Sequence, residues 1–307
     1  MSYNNNLLLT GGFGFLGKNI KTILSKNYHI STLGLSNRND ININLAKEVP
    51  NLDKPYGLVL HTAGKAHSLP KTEIDKKSFF SVNLQGTKNL CTSLENIGVP
   101  NSFIFISSVA VYGLEKGEMI NESHTRNAID SYGLSKIQTE DYLLEWGAKH
   151  SVKIIIIRAP LIIGQEFTGN LSSMISGIRS GFYFNINKGL AKRSMVLAID
   201  LAKFIPTIAE YEGIFHLTDG YQPSLSEISN IISRKYRNKK AKNIPYLIAY
   251  FIAKIGDFIQ KLFFKEFPFN SKRLGKMTSS LTFDDSKARE IGWQSNGIIA
   301  NSHLWLN

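Results

Sequence analysis

Cysteine is almost missing from this sequence of 307 residues, in which Cys91 is the single example. One cysteine cannot form an internal disulfide, so nothing in the sequence points to an oxidising compartment. Long apolar runs are also missing, since none approaches the roughly 18 residues that a membrane-spanning helix needs. The first residues, MSYNNNLLLTGG, lack the charged and apolar segments of a secretory signal peptide. We therefore expect a soluble protein of the cytoplasm.

Metal-binding patterns are lacking too, and acidic residues are few. The seven histidines show no metal-ligand spacing and one cysteine cannot build a zinc site, so no metal centre is expected. Lysine and arginine number 36 against 24 aspartate and glutamate residues, which gives a formal net charge of +12. This excess suits an anionic ligand or surface without identifying it.

What the sequence does contain is an alternation of short apolar runs and helical patterns. The apolar runs lie at Leu7–Leu9, Tyr28–Leu33, Gly57–His61, Ser102–Ile106 and Val152–Ile157. Helical spacing occupies 74–96 and 131–150. Such alternation indicates a doubly wound parallel sheet. We predict an α/β protein with a Rossmann domain over 1–160 and a smaller C-terminal lobe over 161–307, with a helix near 200–210 that could return to the first lobe.

A glycine-rich turn, TGGFGFLG, lies between the first apolar run and the first helical pattern. Glycines there let the backbone come close to a pyrophosphate, and the helix N-terminus offers it unpaired N–H groups. The strand–turn–helix context makes this a dinucleotide-binding pattern. The residues of the turn that we expect to contact the cofactor are Gly11, Phe13, Gly14, Phe15, Leu16 and Gly17.

The end of the second predicted strand bears on the choice of cofactor. Folds that bind NAD usually carry an acidic residue there, to bind the ribose hydroxyls. In this sequence the position falls at about Gly34, and Ser36, Asn37 and Arg38 follow. An arginine with nearby hydroxyl and amide groups suits a 2′-phosphate. The pattern favours NADP(H), with NAD(H) kept open because Arg38 could instead be a solvated loop cation.

Tyr132 and Lys136 are four residues apart in a predicted helix and therefore share one face. A free tyrosine has a pKa of about 10, and a neighbouring ammonium group lowers it, so the phenol becomes usable as an acid or base at neutral pH. Ser107 and Ser108 end the fourth apolar run, at the carboxyl edge of the sheet where ligands bind. These residues are the candidate catalytic centre.

Together these motifs resemble those of the extended short-chain dehydrogenases/reductases, in their nucleotide-sugar epimerase/dehydratase group. The turn matches TGxxGxxG, LHTAG at 60–64 resembles a strand-end motif beside the cofactor, and NLQGT at 83–87 resembles an NxxGT helix. SSVAVYG at 107–113 resembles the strand and loop that carry a catalytic hydroxyl, and YGLSK at 132–136 resembles the active-site helix. When the VYG triplet at 111–113 is aligned with the family motif, Ser108 takes the place of that hydroxyl. The likeness is closest to UDP-N-acetyl-6-deoxyhexosamine 4-ketoreductases and UDP-hexose 4-epimerases.

The resemblance implies roles for individual residues. Lys136 would bind the nicotinamide ribose and lower the pKa of Tyr132, which would exchange a proton with a sugar hydroxyl or ketone. Ser108 would hydrogen-bond the same oxygen, and the nicotinamide carbon would exchange hydride with the sugar carbon. Further cofactor contacts are implied for His61, Ala63, Asn83, Ser107, Tyr132, Lys136 and Pro160.

A clamp for a nucleotide-sugar substrate is implied in the second lobe. Arg193 would hold the diphosphate through its planar guanidinium, and Arg273 would also reach the phosphates. Asn170 and Leu171 would lie beside the nucleobase. Leu161 stands where many epimerases have an asparagine, so one polar substrate contact is missing. In total, the implied substrate contacts are Ser108, Val109, Ala110, Tyr132, Asn170, Leu171, Arg193 and Arg273.

The sequence narrows the reaction within this group. Val109 and Ala110 follow Ser108, where 4,6-dehydratases of the group have an acidic pair, so dehydration is not expected. Val109 also stands where GDP-fucose-synthase-like enzymes have a cysteine, so the reaction of those enzymes is not expected either. The remaining reactions are reduction of a UDP-4-keto-6-deoxy-N-acetylhexosamine for surface polysaccharides, and 4-epimerisation of a UDP-hexose or UDP-N-acetylhexosamine with tightly bound NAD. The Gly34–Arg38 pattern favours the reductase. A non-catalytic dinucleotide sensor is disfavoured because the tyrosine and the lysine are both present.

A basic run at 234–242 holds six cations in nine positions. It contains no recognised nucleic-acid-binding module, so we expect a solvated helix end and no nucleic acid partner. An apolar stretch follows, with Leu247, Phe251, Ile255, Phe258 and Leu262 at helical spacing. Weak contact of 234–264 with an anionic membrane surface is one interpretation, but a helix packed in the second lobe or at a subunit contact is favoured. The resemblance also implies a homodimer.

Overall fold

A computed structural model describes residues 5–66, 70–166, 169–237, 239–263 and 269–306. The strands in these ranges are β1 (Asn6–Thr10), β2 (His29–Gly34), β3 (Ile41–Asn42), β4 (Leu58–His61), β5 (Ser102–Ser108), β6 (Gly117–Ile120), β7 (Lys153–Ala159), β8 (Leu161–Ile163), β9 (Phe184–Ile186), β10 (Met195–Leu197), β11 (Gly213–Phe215), β12 (Lys242–Ile244) and β13 (Leu281–Phe283). The α-helices are α1 (Phe15–Leu24), α2 (Glu73–Phe80), α3 (Gly86–Ile97), α4 (Ser131–His150), α5 (Gly169–Ser180), α6 (Ala198–Ile208), α7 (Leu225–Arg237), α8 (Tyr246–Phe263), α9 (Ser271–Thr278) and α10 (Ser286–Glu290). Shorter turns of 3-10 helix lie at Val109–Tyr112, Asn187–Gly189 and Ser302–Leu304.

Seven strands form one parallel sheet in the order β11-β7-β5-β4-β1-β2-β3. The central strands are nearly continuous apolar runs because helices cover both faces; β7 reads KIIIIRA and is buried after its first residue. The predicted Rossmann-type α/β fold is confirmed. The chain turns back between β1 and β4, and open α/β sheets bind ligands at such a point, beyond the carboxyl ends of the strands.

Two apolar cores flank the sheet. On one face Ile20 of α1 and Ile205 of α6 lie in the same buried cluster, so α6 packs against the first lobe. On the other face Leu94 of α3 and Trp146 of α4 lie in a second cluster. These helices hold the carboxyl ends of β1, β4 and β5 at one edge, where the candidate site lies.

Several elements differ from the sequence prediction. The predicted helix 74–96 is α2 and α3 joined by a π-helical turn, Ser81–Gln85. β3 is only two residues long and carries no apolar run that a sequence pattern would reveal. Segment 213–218 was expected in the second lobe, but β11 pairs with Ile155–Ile157 of β7 and extends the large sheet.

The second lobe is built from short strands and helices. Strand pairs β8–β10 and β9–β12 lie beside α5 and α7, and β6 pairs with β13, so chain segments cross the residue-160 boundary in both directions. α8 packs on α9. Within the described ranges, no helix combines the length and the apolar character needed to cross a membrane.

Candidate active site

The glycine-rich turn leaves no room for side chains at two of its glycines. Gly11 has a φ of +69°, and a Cβ on it would lie 2.9 Å from the backbone nitrogen of Ala63. A Cβ on Gly17 would collide with the Gly11 carbonyl oxygen, so glycine lets α1 pack directly onto the turn. Gly14 is exposed at the N-terminus of α1. The turn therefore presents bare backbone at the N-terminus of α1, which fits a dinucleotide pyrophosphate.

The residues predicted at the adenosine end lie next to this turn. The guanidinium carbon of Arg38 is 4.6 Å from the centroid of the Phe13 ring, and Arg38 Nε donates to the Ser36 hydroxyl at 3.4 Å. Asn37 is exposed beside them, and Gly34 ends β2 without a carboxylate. The Arg38 cation thus lies over the Phe13 ring, near the end of β2. A carboxylate at that strand end would instead have favoured binding of the ribose hydroxyls of NAD.

The His61 side chain is bonded inside the protein, and the implied contact of this residue with the cofactor stays a prediction. The residue is 1% exposed, its Nδ1 lies 2.7 Å from the Thr10 hydroxyl, and its Nε2 lies 2.9 Å from the Thr87 hydroxyl. Burial, helped by the charge of Lys136, lowers the His61 pKa to about 3 and keeps the ring neutral. The ring joins β1 and β4 to α3 and so fixes the start of the loop that follows β4.

Asn83 connects that loop to the active-site helix. Its Oδ1 accepts the backbone N–H of Lys65 at 2.7 Å, and its Nδ2 donates to the Ser135 hydroxyl at 2.8 Å. A Cβ on Gly64 would lie 3.1 Å from Asn83 Oδ1 and 3.5 Å from Lys136 Nζ. Because Asn83 is only 1% exposed and both of its side-chain polar atoms are bonded, it positions the loop beside Lys136. Its implied contact with the cofactor stays a prediction.

Ser108 and Tyr132 meet across the gap between β5 and α4. Ser108 ends β5, and Tyr132 lies in the first turn of α4, whose cap residue Asp130 accepts the Tyr132 backbone N–H at 3.1 Å. Burial raises the pKa of the Tyr132 phenol, and a side-chain hydrogen bond with Ser108 works against that rise. The Phe79 ring centroid lies 6.0 Å from the Tyr132 ring. The two predicted catalytic side chains therefore lie close enough for Ser108 to affect the pKa of Tyr132.

Lys136 follows one turn later on α4 and is buried. Its Nζ donates to the carbonyl oxygen of Ile106 at 2.8 Å and lies 4.3 Å from the centroid of the Phe105 ring. Burial lowers the Lys136 pKa to about 8, and the nearby carboxylate of Glu140 opposes that shift. The ammonium group is therefore retained at neutral pH but lies close to its titration point.

Sequence reasoning missed Glu140, one turn beyond Lys136. Its carboxylate is fully buried, accepts the Ser107 hydroxyl at 2.5 Å and receives Arg158 Nη2 at 2.8 Å. Arg158 also donates to the phenol oxygen of Tyr112 at 2.9 Å. This network fixes β5, β7 and α4 to one another. Within it the Ser107 hydroxyl donates to Glu140, and the predicted contact of Ser107 with a cofactor stays a prediction. The available signal was the four-residue spacing from Lys136.

The predicted diphosphate ligand, Arg193, is engaged within the protein. Its Nη1 donates to the carbonyl of Ser279 at 2.5 Å, and its Nη2 donates to the carbonyl of Lys276 in α9. Burial lowers the Arg193 pKa. An incoming diphosphate would have to replace these carbonyls. Arg273 lies on the same helix and is exposed.

The other predicted substrate residues are divided between surface and core. Asn170 is exposed in the first turn of α5. Leu171 is 5% exposed and packs inside the second-lobe core, and its predicted place beside a nucleobase stays a prediction. Val109 and Ala110 are half-buried in the 3-10 turn after Ser108.

Other residues predicted to contact the cofactor have buried or partly buried side chains. The Leu16 side chain packs in the core beneath the sheet, and Phe15 is partly buried against it. The Ala63 backbone N–H donates to the Thr10 hydroxyl at 3.1 Å. Pro160 is buried directly after β7. Across the described ranges, no group of three or more His, Cys, Asp or Glu side chains could hold a metal ion.

Two curated relatives share most of the chain's length. The protein is 26% identical over 306 residues to the N-acetyl-alpha-D-glucosaminyl-diphospho-ditrans,octacis-undecaprenol 4-epimerase of Escherichia coli O157:H7, with 94% of this chain and 90% of the relative covered. It is 27% identical over 316 residues to UDP-glucose 4-epimerase of Vibrio cholerae, again with 94% of this chain and 90% of the relative covered.

Solved structures share the fold at low identity. UDP-glucuronic acid 4-epimerase from Bacillus cereus, in complex with NAD, superposes with a TM-score of 0.72 at 16% identity and covers 98% of this chain and 96% of that one. RMD from Pseudomonas aeruginosa, complexed with NADPH, superposes with a TM-score of 0.68 at 18% identity and covers 98% of each chain. The same fold therefore accompanies either cofactor.

The family assignment rests on a match that covers more than half of the sequence. The model of the NAD dependent epimerase/dehydratase family matches residues 7–215, from β1 through β11. That span contains the glycine-rich turn and the residues gathered around Tyr132. The chain therefore belongs to the NAD dependent epimerase/dehydratase family, and it is an enzyme of the extended short-chain dehydrogenase/reductase type.

Proposed function

We propose that this enzyme acts at C4 of a sugar carried on a diphosphate, and that it works as a 4-epimerase. The observation that carries the proposal is the placement of Tyr132 and Lys136 one turn apart on α4, with the ammonium group of Lys136 buried and Ser108 at the end of β5 beside Tyr132. The names of both curated relatives describe 4-epimerases, one of a UDP-sugar and one of a polyprenyl-diphosphate sugar. These names support epimerisation over the ketoreduction that the sequence motifs favoured.

Three side chains would handle the proton. Tyr132 would take the proton of the sugar C4 hydroxyl and return it to the C4 ketone, while Ser108 holds that oxygen. Lys136 would stabilise the phenolate and so oppose the raised pKa that burial gives Tyr132 in the free enzyme. General acid–base catalysis of this kind contributes about 10²–10⁴-fold to a rate.

A bound nicotinamide dinucleotide would supply the hydride acceptor and donor. The bare backbone of Gly11–Gly17 would hold its pyrophosphate at the N-terminus of α1. Lys136, kept in place by the Ile106 carbonyl, would donate to its ribose. Arg38 and its neighbours in the loop after β2 would border the adenosine.

A second candidate function is NADPH-dependent reduction of a UDP-4-keto-6-deoxy-N-acetylhexosamine. The observation in its favour is Arg38, whose guanidinium lies over Phe13 beside the turn while Gly34 leaves no carboxylate at the end of β2. A guanidinium at that place would pair with a 2′-phosphate, which a carboxylate would repel.

The nucleotide carried by freshly purified protein separates the two functions. The protein is denatured, and the released nucleotide is identified by chromatography. Near-stoichiometric NAD would support the epimerase, because such an enzyme keeps the reduced cofactor until the hydride is returned. An empty site or bound NADP(H) would contradict it and support the reductase.

We also propose the division of labour between the lobes. Residues 1–160 would bind the cofactor and residues 161–307 the diphosphate and its sugar, with Arg193 exchanging the α9 carbonyls for phosphate oxygens. The family resemblance supports a homodimer. Analytical ultracentrifugation tests this, since the mass measured for a dimer is twice the mass of the chain.

A further inference from the structure

The outward face of α8 is apolar and uncovered. Five large side chains at helical spacing form a stripe along it, and each is more than half exposed: Leu247 (67%), Phe251 (64%), Ile255 (57%), Phe258 (65%) and Leu262 (57%). The stripe extends for about 22 Å along the helix. The sequence favoured a helix packed inside the lobe or at a subunit contact; within the chain, this stripe is instead the exposed face.

Small residues occupy the inward face of the same helix. Ala249, Ala253 and Gly256 are buried, and Asp257 accepts the Ser271 hydroxyl at 2.5 Å, so α8 is fixed against α9. The usual arrangement of an amphipathic helix, with large apolar residues inside, is reversed. Exposed apolar patches of this extent mark interaction sites.

The surrounding charge is strongly positive. Residues 234–276 contain 12 lysines and arginines against two acidic residues, so this segment carries ten of the protein's twelve net positive charges. Within it, Lys254 and Lys261 are exposed on α8 itself, and Lys239, Lys240 and Lys242 are exposed just before it. Residues 238 and 264–268 lie outside the described ranges. The rest of the sequence is almost neutral, which makes this charge a property of the α8 region.

We propose that the exposed face of α8 docks on an anionic lipid bilayer. The apolar stripe would lie in the interfacial region of the membrane, with the lysines paired to anionic headgroups. Three charged residues, Lys254, Asp257 and Lys261, lie among the apolar residues of α8, and its inner side stays packed on α9, so the helix would lie along the membrane surface. A second copy of the chain fits this face less well, because two surfaces of the same strong positive charge would repel each other.

The docked face adjoins the predicted diphosphate site through α9. Arg193 donates to the carbonyls of Lys276 and Ser279 at the end of that helix, and α8 packs on the same helix. Docking would therefore place this end of the second lobe near the membrane. The proposal does not rest on the reaction proposed above, since its test measures lipid binding without substrate.

The test is flotation of the full-length protein with vesicles in a density gradient. Vesicles of phosphatidylcholine mixed with phosphatidylglycerol are compared with vesicles of phosphatidylcholine alone, at low salt and at physiological salt. We expect the protein to float with the anionic vesicles at low salt, with binding weakened by salt because the electrostatic part is screened.

Variants test whether lipid binding depends on the α8 face or on the general hydrophobicity and charge of the protein. Phe251→Ser/Phe258→Ser is expected to lower the bound fraction about tenfold or more, because two large apolar side chains no longer enter the interface. Lys254→Gln/Lys261→Gln is expected to lower it roughly tenfold on anionic vesicles. Ile74→Ser/Ile129→Ser is the matched control, since Ile74 in α2 and Ile129 just before α4 are 80% and 92% exposed and belong to other elements, and it should bind like the native protein.

Three outcomes would overturn the proposal. The native protein could remain unbound with both kinds of vesicle. The Phe251→Ser/Phe258→Ser variant, shown to be folded by an unchanged melting temperature, could float as well as the native protein. Finally, the same variant could convert a dimer into a monomer in ultracentrifugation while lipid binding is absent, which would assign the face to a second copy of the chain.

Discussion

Glu140 and Arg158 form a buried ion pair, with Arg158 Nη2 2.8 Å from Glu140 Oε2, on the helix that carries Tyr132 and Lys136. The two side chains are 0% and 3% exposed. The pair joins α4 to β7, and Ser107 adds the end of β5 through its hydroxyl. The helix that carries the predicted catalytic residues is therefore held by a buried charged network.

Replacing one partner of this ion pair should destabilise the enzyme more than replacing both partners. Glu140→Gln leaves the Arg158 guanidinium buried without its counter-charge, which we expect to cost about 3–5 kcal/mol of unfolding free energy. The double variant Glu140→Gln/Arg158→Met should recover much of that loss. Urea unfolding of the native protein, Glu140→Gln, Arg158→Met and the double variant measures this double-mutant cycle. If the losses of the two single variants simply add in the double variant, the pair is not coupled as described.

The pH dependence of cofactor binding should follow Lys136. Because burial lowers its pKa to about 8, the ammonium group loses its proton as pH rises through that value, and with it a donor to the cofactor. We expect the dissociation constant of the cofactor to rise by up to about tenfold per pH unit above pH 8.

Lys136→Arg is the control for this effect, since a guanidinium stays charged throughout the range. Titrations followed by intrinsic fluorescence at several pH values provide the dissociation constants. An equally steep rise in Lys136→Arg would assign the effect to another group.

His61 should make the fold sensitive to acid. Its native pKa of about 3 lies below the ordinary value of 6.5, so the unfolded chain takes up a proton that the native protein refuses. The stabilisation is complete above pH 6.5 and is lost as pH falls towards 3. Each unit of difference in pKa corresponds to about 1.4 kcal/mol.

The measurement is the unfolding free energy in urea between pH 7 and pH 4, for the native protein and for His61→Gln. A glutamine can still bond Thr10 and Thr87 but does not titrate, so its pH slope should be clearly smaller. His216, whose pKa burial lowers to about 4, is present in both proteins and cancels in the comparison. Identical slopes would show that His61 is already accessible to protons in the native state.

Arg38 should decide the preference between the two dinucleotides. Hydrogen bonds to a charged group are worth about 1.5–3 kcal/mol, so Arg38→Ala should weaken NADPH binding by about 10- to 100-fold and leave NADH binding nearly unchanged. Lys21, whose Nζ is 4.2 Å from the same Phe13 ring, provides a control for general charge in Lys21→Ala. A loss of equal size for both cofactors in Arg38→Ala would contradict a contact with the 2′-phosphate.

The large sheet and the glycine-rich turn could be predicted because the patterns that indicate them lie within short stretches of sequence. Val152–Ile157 is apolar on both faces, and the glycines sit where a strand meets a helix, so periodicity and motif were sufficient. β11 was misplaced because three residues carry too little pattern to assign it to a sheet.

The partners of buried polar groups could not be predicted, since they come from distant parts of the chain. His61 is bonded to Thr10 and Thr87, 51 and 26 residues away, and Glu140 meets Arg158 18 residues later. The orientation of α8 has the same origin. Its spacing predicted a stripe, but only its packing on α9 determines which face is covered.

The most direct test of the proposed function is isomerisation at C4 without added cofactor. The purified enzyme is incubated with UDP-N-acetylglucosamine, UDP-glucose or N-acetylglucosaminyl diphosphoundecaprenol, and the C4 configuration is followed by proton NMR for the nucleotide sugars and after hydrolysis for the lipid. The account predicts that one of these substrates approaches an equilibrium of C4 epimers, and that Tyr132→Phe slows the approach by about 10²-fold or more with cofactor binding intact. An unchanged rate in Tyr132→Phe, or no epimer from any of the three with a cofactor-loaded enzyme, would contradict it.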